Sequence, residues 1–211
     1  MPFEYDPRRA VRALSRGDAV MARLIREIGP FALELRDEMT PFQALLRAIV
    51  YQQLSGAAAG TIHRRLCGLY PGRRGPGPRQ LLSTPDDTLR AAGLSRGKVA
   101  SARDLAEKTL ARVVPTRERL RAMDDDAIVE RLIQVRGIGR WTVEMLLIFN
   151  LGRPDVFPVD DLGVRRGYAH AHGTVDLPSP ADLRTEGERW RPHRSVASWY
   201  LWRASERPPL A

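Results

Sequence analysis

The stretch with the clearest chemical meaning is Gly137-Ile138-Gly139, which interrupts an apolar run from Leu132 to Leu147. Glycines at this spacing can adopt a positive φ or let another backbone come close. The amides that begin the following helix have no intrahelical partner, so they can hold an anion such as phosphate. Taken alone, Gly-x-Gly is more often an ordinary helical corner. Its meaning depends on the elements around it.

Two helices are predicted to meet at this turn. The first begins near Asp124–Asp126, whose charges suit a helix N-terminus, and continues with an apolar face. The second runs through Leu147 and ends at Gly152, with Pro154 just beyond. The sequence thus predicts a helical hairpin that seats a phosphate. The residues expected to contact the phosphate backbone are Gly137, Ile138, Gly139, Arg140 and Thr142.

The rest of the chain also reads as helices. Pro41 opens an amphipathic stripe that follows Thr40, and Asp18 can cap a helix after a break near Gly17. Ser95 can cap a long helix whose first turn holds Lys98. A lysine there opposes the helix dipole, which a phosphate neighbour or a solvated charge explains equally well. Because no regular strand alternation occurs, we expect an all-α fold.

Composition narrows the class of protein. The 211 residues include 34 Lys+Arg against 25 Asp+Glu, a net charge of +9, which suits a polyanionic partner but also fits a GC-rich genome. Cys67 is the single cysteine, which excludes an intramolecular disulfide, a four-cysteine iron–sulfur cluster and a cysteine zinc site. No apolar run approaches the length of a bilayer. We expect a cytoplasmic protein, associated with the nucleoid if bacterial.

The hairpin resembles the helix-hairpin-helix motif of DNA repair glycosylases. Leu132–Gly167, together with Trp190–Ser195, looks like the 3-methyladenine DNA glycosylase II branch of that superfamily. The resemblance implies a two-lobed helical bundle with a DNA-binding cleft between the lobes. One lobe would span about 36–153 with the hairpin, and the other about 1–35 plus 154–211, within a single domain of residues 1–211. Since helical patterns begin almost at once, we expect the N-terminal β domain of longer members to be missing.

The resemblance also implies a chemistry. Asp161 stands where the superfamily has its catalytic carboxylate, which stabilises an oxocarbenium-like sugar while the N-glycosidic bond is hydrolysed. The alternative is that Asp160 and Asp161 only cap the next helix, or that one caps while the other catalyses. Trp141 stands where glycosylase/lyases carry a lysine nucleophile, so a monofunctional enzyme is expected.

A base pocket follows from the same resemblance. Trp141 and Trp202 match two tryptophans that line the pocket in the family, and a cationic alkylated purine would favour such aromatic faces. Met145 and Leu162 occupy positions where some members place tyrosine, which leaves the substrate range open. Core packing is the alternative role for Trp202.

A second loop carries the residue expected to wedge into the DNA. Between two predicted helices, Gln53 or its neighbour Leu54 matches the residue that fills the gap left by a flipped base. The alternative is that the glutamine pair Gln52-Gln53 is only a solvated turn.

The remaining expectations concern partners and cofactors. The partner is double-stranded DNA with damaged bases, there is no membrane partner, and the protein acts as a monomer. No cofactor is required, although the main-chain carbonyls of Ile133, Val135 and Gly137 resemble those that bind a structural Na⁺ or K⁺ in relatives. A non-catalytic hairpin module that binds DNA, and a glycosylase for a non-alkylated lesion, stay open as alternatives.

Overall fold

The computed structural model describes residues 3–36, 38–73 and 75–207, and the regular structure in these ranges is helical without a strand. The α-helices, in chain order, are α1 (Pro7–Gly17), α2 (Ala19–Ile28), α3 (Pro41–Tyr51), α4 (Gly56–Gly68), α5 (Pro78–Ser83), α6 (Asp86–Ala91), α7 (Arg96–Leu110), α8 (Arg117–Arg121), α9 (Asp125–Leu132), α10 (Arg140–Leu146), α11 (Leu162–His172), α12 (Pro180–Glu186) and α13 (Arg194–Ser205). Short 3₁₀ turns span Pro71–Arg73 and Gly187–Trp190, and a π-helical turn spans Leu147–Leu151. The all-α prediction is confirmed.

Local sequence signals account for several helix starts. Asp18 separates α1 from α2, and its carboxylate accepts hydrogen bonds from the Val20 and Met21 amides. Thr40 and Gln43 form a capping box at α3, with Pro41 in the first turn. These groups satisfy amides that the helix itself cannot pair. The predicted break near Gly17 and the predicted start of α3 are both correct.

The described residues fall into two compact units. The hairpin unit is Arg36–Leu146, and the terminal unit combines the residues up to Leu35 with those from Leu147 onwards. The expected lobes, divided at about 36 and 153, stay a prediction; the hairpin unit ends seven residues before 153. The physical reason is that the π-helical turn packs within the terminal unit, where Phe149 stacks on Trp202.

The hairpin unit is built around α3, which packs against α4, α7 and α10. Its apolar stripe is buried, with Leu45 and Ile49 fully inside. The hairpin helices α9 and α10 also pack against each other. This core fixes the hairpin turn and the α3–α4 loop within one compact body.

The terminal unit is built around α13, which packs against α11, α2 and α1. Tyr200 is fully buried and its hydroxyl donates to the Gly29 carbonyl at 3.1 Å. The indole N–H of Trp190 donates to Asp18 at 2.9 Å, which ties the 3₁₀ turn to the start of α2. The Tyr200 bond holds α13, which carries Trp202, and α13 in turn packs against α11, which Asp161 caps. None of the helices in the described part of the chain is long and apolar enough to cross a membrane.

Candidate active site

The hairpin turn between α9 and α10 forms as predicted. The Val135 amide donates to the Leu132 carbonyl at 3.1 Å, and the Ile138 amide donates to the Val135 carbonyl at 3.0 Å. Gly137 lies between them with φ +77°, a conformation that costs an L-residue about 1–2 kcal/mol. Two hydrogen bonds between residues three apart, together with one glycine of positive φ, therefore reverse the chain within a few residues.

The second hairpin helix opens toward solvent. The first main-chain bond of the i→i−4 type at its start runs from the Val143 amide to the Gly139 carbonyl at 3.2 Å. Amides ahead of that bond have no intrahelical acceptor, which suits them to an anion. Gly139 and Arg140 are exposed at this end. The geometry therefore has the features that the sequence predicts for a phosphate seat.

The five predicted backbone contacts do not occupy equivalent places. Gly137, Gly139 and Arg140 are exposed, whereas Ile138 and Thr142 are each 5% exposed. Ile138 also uses its amide within the turn. The side chains of Ile138 and Thr142 therefore pack the hairpin onto its core, and Thr142 has only its main chain to offer a phosphate.

Helix α7 fastens the turn from one side. The Asp104 carboxylate accepts from the Arg136 amide at 2.7 Å and from the Lys108 ammonium at 2.8 Å. Lys108 also donates to the Gln134 carbonyl. Burial raises the pKa of Asp104, but the hydrogen bonds from Lys108 and Arg136 outweigh it, so the net shift is downward. The ionised carboxylate thus holds the turn at neutral pH.

Substitution of the two glycines separates backbone approach from backbone strain. Nothing lies within 4 Å of a Cβ added at Gly139, so Gly139→Ala should fold normally. The added methyl group would hinder the approach of phosphate to the backbone. Loss of one charge-assisted hydrogen bond should then weaken binding to undamaged and damaged duplex alike by about tenfold. At Gly137 a Cβ would lie 2.8 Å from the Ser101 hydroxyl, and φ is positive. Gly137→Ala should therefore lower the Tm as well. Titration of labelled duplex and thermal melts on both variants distinguish these outcomes; a lesion-selective loss in Gly139→Ala would contradict the backbone role.

The candidate catalytic residue, Asp161, is held by two donors on one oxygen. It is the N-cap of α11, and its Oδ1 accepts from the Val164 amide at 2.9 Å. The same Oδ1 accepts from the indole N–H of Trp202 at 2.8 Å. Asp160 is exposed, and Asp161, its neighbour, forms the cap. The cap and the candidate carboxylate are therefore one residue, not two, because the chain turns into α11 only after Asp161.

Two glycines on α11 make this contact possible. A Cβ at Gly167 would lie 1.9 Å from the Leu201 carbonyl oxygen, so α13 can cross α11 this closely only where a side chain is missing. A Cβ at Gly163 would lie 2.8 Å from Trp202 Cδ1 and 3.0 Å from Asp161 Oδ1. The glycine spacing of α11 thus brings the indole to the carboxylate.

Gly163→Ala should consequently disturb the site more than the fold. The added methyl group forces Trp202 or Asp161 to move by several tenths of an ångström, and small misplacements of catalytic groups cost up to about 10²-fold in rate. We expect base release to fall at least tenfold with a small change in Tm. Gly167→Ala is the contrasting variant, because its methyl meets backbone and should lower the Tm strongly. Single-turnover rates and melting curves measure both effects, and unchanged base release by a folded Gly163→Ala protein would contradict the tight fit.

Sequence reasoning missed Phe149. Its ring stacks on Trp202 with centroids 5.5 Å apart and planes inclined by 27°. It lies in the π-helical turn, and such turns often occur at functional sites. Trp202 is therefore held by a ring on its face and by Asp161 at its N–H. The only sequence signal was an aromatic residue beside Asn150 in a stretch whose other residues are aliphatic.

The other predicted pocket residues lie in both units. Trp202 is partly exposed, which separates it from Trp199, a core residue only 8% exposed. Leu162 is 46% exposed and follows Asp161 directly in the terminal unit. Trp141, 45% exposed, and the half-buried Met145 belong to α10 of the hairpin unit. Exposure of single apolar side chains is common, so Trp141, Met145 and Leu162 stay predictions as pocket residues.

The predicted wedge loop lies between α3 and α4. Gln53 is exposed with φ +56°, an uncommon conformation for a residue other than glycine, and Leu54 is 40% exposed. Strained backbone of this kind clusters at functional sites. Lys98 serves this region structurally: its ammonium donates to the Val50 carbonyl at 2.7 Å, and burial lowers its pKa. Lys98 therefore needs neither a phosphate neighbour nor a solvated position to explain it, because its ammonium binds a carbonyl in the last turn of α3.

The three carbonyls proposed for a cation differ in what they contact. The Gly137 carbonyl accepts from the Gln52 side-chain amide at 2.7 Å, and the Val135 carbonyl accepts from the Ile138 amide. Each carbonyl oxygen has two lone pairs, so one hydrogen bond to it leaves a lone pair for a cation, and the cation site stays a prediction. Elsewhere in the described chain, no group of three or more His, Cys, Asp or Glu side chains is placed to hold a metal ion, and Cys67 is a buried free thiol.

Comparison with known proteins agrees with this geometry. The family model described as an HhH-GPD superfamily base excision DNA repair protein matches residues 46–192. DNA-3-methyladenine glycosylase 1 of Schizosaccharomyces pombe is 36% identical over 194 residues, covering 92% of this chain and 85% of that protein. The structure of the S. pombe 3-methyladenine DNA glycosylase Mag1 in complex with abasic DNA superposes with a TM-score of 0.88 at 35% identity, covering 96% of this chain and 99% of that one. A DNA-3-methyladenine glycosidase from Bacillus halodurans gives a TM-score of 0.82 at 33% identity, covering 93% and 88%.

Proposed function

Because the chain belongs to the HhH-GPD superfamily of base excision DNA repair proteins, we propose that it is a monofunctional DNA glycosylase that excises alkylated bases. Its substrates would be 3-methyladenine, 7-methylguanine and related lesions in double-stranded DNA. The relatives with which it shares about a third of its residues are named for 3-methyladenine. The hairpin supplies a DNA contact, and Asp161 supplies the chemistry.

The observation that carries the proposal is the fixed carboxylate. Two N–H groups, from Val164 and Trp202, converge on Asp161 Oδ1 and prevent its rotation. A carboxylate that is oriented before the substrate binds can stabilise positive charge without reorganising during the reaction. Cleavage of an N-glycosidic bond builds such charge on the sugar, as in other glycoside hydrolyses. Asp161 would lie beneath that sugar as an anion.

The balance of the reaction is simple. The bond between C1′ and the base nitrogen breaks, and its electron pair leaves with the base. For a cationic 7-methylguanine the released base is then neutral, so no strong general acid is required. A water oxygen forms the new bond to C1′, and its proton passes to solvent. The products are a free base and an intact abasic strand.

Recognition of the base would rest on aromatic faces. A cation above an indole gains about 0.5–2 kcal/mol, which an uncharged normal base does not. Trp202, braced by Phe149, offers one such face. Trp141, Met145 and Leu162 stay predictions as pocket residues.

Access to the lesion requires extrusion from the duplex, which costs a few kcal/mol. We assign the gap-filling role to Gln53 or Leu54, the exposed residues of the α3–α4 loop. The exposed part of the hairpin turn, Gly137, Gly139 and Arg140, would hold the neighbouring phosphates.

A base-release assay tests the proposal. Duplexes that carry 7-methylguanine, 3-methyladenine, hypoxanthine or uracil are incubated with the protein, and free base and strand breaks are measured separately. We expect release of the methylated purines without strand cleavage. Borohydride trapping should yield no covalent adduct, since Trp141 cannot form a Schiff base. Binding without any base release would instead identify a non-catalytic hairpin module, and release of hypoxanthine or uracil alone would shift the lesion class.

The proposal also covers the oligomeric state, the cofactors, the location and a hairpin cation. We propose that the protein acts as a monomer, which its elution volume with and without DNA checks. We propose that it needs no cofactor and acts at cytoplasmic DNA, on the nucleoid in a bacterium. A structural Na⁺ or K⁺ at the hairpin stays a prediction: replacing both by tetramethylammonium at constant ionic strength should weaken DNA binding only if such an ion is held.

A further inference from the structure

Gln52 connects the α3–α4 loop to the hairpin turn. Its side-chain amide donates to the Gly137 carbonyl at 2.7 Å, across 85 residues of sequence. A carbonyl can only accept, so the amide nitrogen must face it. The bond joins two segments to which the proposed function gives separate roles. The α3–α4 loop would displace the base, and the hairpin turn would bind the neighbouring phosphates.

Both residues joined by this bond lie in backbone segments that other hydrogen bonds keep in place. Gly137 sits between Arg136, whose amide is bound by Asp104, and Ile138, which is buried. On the other side, α3 ends at Tyr51, and the Val50 carbonyl in its last turn is bound by Lys98. Helix α7 supplies both Asp104 and Lys98, so it serves as a common base for the loop and the turn.

The α3–α4 loop beyond Gln52 is short and exposed. Gln53, Leu54 and Ser55 are exposed, Gln53 adopts φ +56°, and Ser55 is the N-cap of α4. An exposed loop in a strained conformation would yield when it is pushed against stacked bases. Gln52 can resist such a displacement of the loop, because it directly precedes Gln53 and its side chain is hydrogen-bonded to the hairpin turn.

We propose that Gln52 is a positioning residue that holds the wedge loop against the DNA-gripping hairpin, so that phosphate binding and base displacement act as one. The inference rests on the proposed function, since it concerns how a lesion is extruded. Gln52 touches neither base nor sugar in this view and acts through Gln53 or Leu54. Its effect should appear only where a base must be pushed out of a pair.

The test compares paired and unpaired lesions. Gln52→Met keeps the length of the side chain and removes the donor. We expect excision of 7-methylguanine opposite cytosine to fall roughly 2- to 12-fold, the worth of one neutral hydrogen bond, while excision from a single-nucleotide bulge is unchanged. Gln134→Met is the matched control, because the side-chain amide of that exposed glutamine donates to the Glu130 carbonyl four residues earlier and not to the α3–α4 loop. Gln52→Lys keeps a donor within reach and should restore the ratio of paired to bulged excision.

A second measurement separates this inference from the glycosylase activity. In an Asp161→Asn background, 2-aminopurine beside the lesion reports unstacking without chemistry, and Gln52→Met should reduce its fluorescence rise at equal binding. If the wild type releases no base from either duplex, the proposed function fails. If it releases base but Gln52→Met lowers both substrates equally, or neither, the coupling is wrong. The ratio of the two rates does not depend on the folded fraction, so a loss of stability cannot imitate the result.

Discussion

The Asp161→Asn protein is expected to bind lesion-containing duplex with wild-type affinity and to release base at least about 10³-fold more slowly. Asparagine is as good an N-cap as aspartate. Its carbonyl oxygen can take the place of Oδ1, accepting from the Val164 amide and from the Trp202 indole. The fold, the start of α11 and the tryptophan contact should therefore survive. What is lost is the negative charge, which matters far more to the oxocarbenium-like transition state than to the bound substrate.

Single-turnover base release and duplex titration on the same preparation measure the two quantities. Asp160→Asn is the matched control, since it removes the same charge one residue earlier at an exposed position. It should stay within a few-fold of the wild type. Near-normal turnover by Asp161→Asn, or an inactive Asp160→Asn protein, would show that the carboxylate has been misassigned. Asp161→Ala is less informative, because loss of the cap alone costs about 0.5–2 kcal/mol of stability.

Sequence alone predicted the helix starts and the hairpin turn, because those features are local. Pro41 after Thr40 marks a helix start, and Gly137 with Gly139 marks a reversal, whatever the rest of the chain does. Caps and glycine turns are decided within a few residues. The position of Asp161 came instead from family resemblance, since an aspartate before a helix is ordinarily a cap. The structure shows that it is indeed the cap, and that an indole from 41 residues further on meets the same oxygen.

The features that sequence did not reveal depend on how distant segments meet. A π-helical turn differs from an α-helix by one residue in its register, and the apolar pattern of Leu147–Leu151 suits either. Phe149 therefore had no predicted partner. The bond from Gln52 to Gly137 and the crossing at Gly167 likewise require the tertiary arrangement. The burial of the Ile138 and Thr142 side chains also depends on tertiary packing, and the predicted contact of these residues with the DNA backbone stays a prediction.

The second large effect is expected at Trp202, where two contributions can be separated. Trp202→Phe keeps an aromatic ring against Phe149 but removes the N–H that orients Asp161. A hydrogen bond to a charged group is worth about 1.5–3 kcal/mol, so this variant should lose roughly ten- to a hundredfold in excision. The loss should be similar for cationic 7-methylguanine and for neutral hypoxanthine, because the carboxylate serves both reactions. Trp199→Leu is the contrasting core variant, which should lower the Tm and reduce both rates in proportion to the folded fraction.

Trp202→Leu removes the ring as well as the N–H, so its additional loss relative to Trp202→Phe reports the aromatic face. For a cationic base that face is worth about 0.5–2 kcal/mol, or roughly a further 2- to 30-fold, and a neutral base cannot gain it. The ratio of 7-methylguanine to hypoxanthine excision should therefore stay constant from wild type to Trp202→Phe and fall in Trp202→Leu. Thermal melts on each variant remove any contribution from unfolding. If the ratio already falls in Trp202→Phe, recognition of the cationic base by the indole ring outweighs the hydrogen bond to Asp161. If the ratio changes in neither variant, Trp202 contributes to catalysis only through its hydrogen bond to the Asp161 carboxylate.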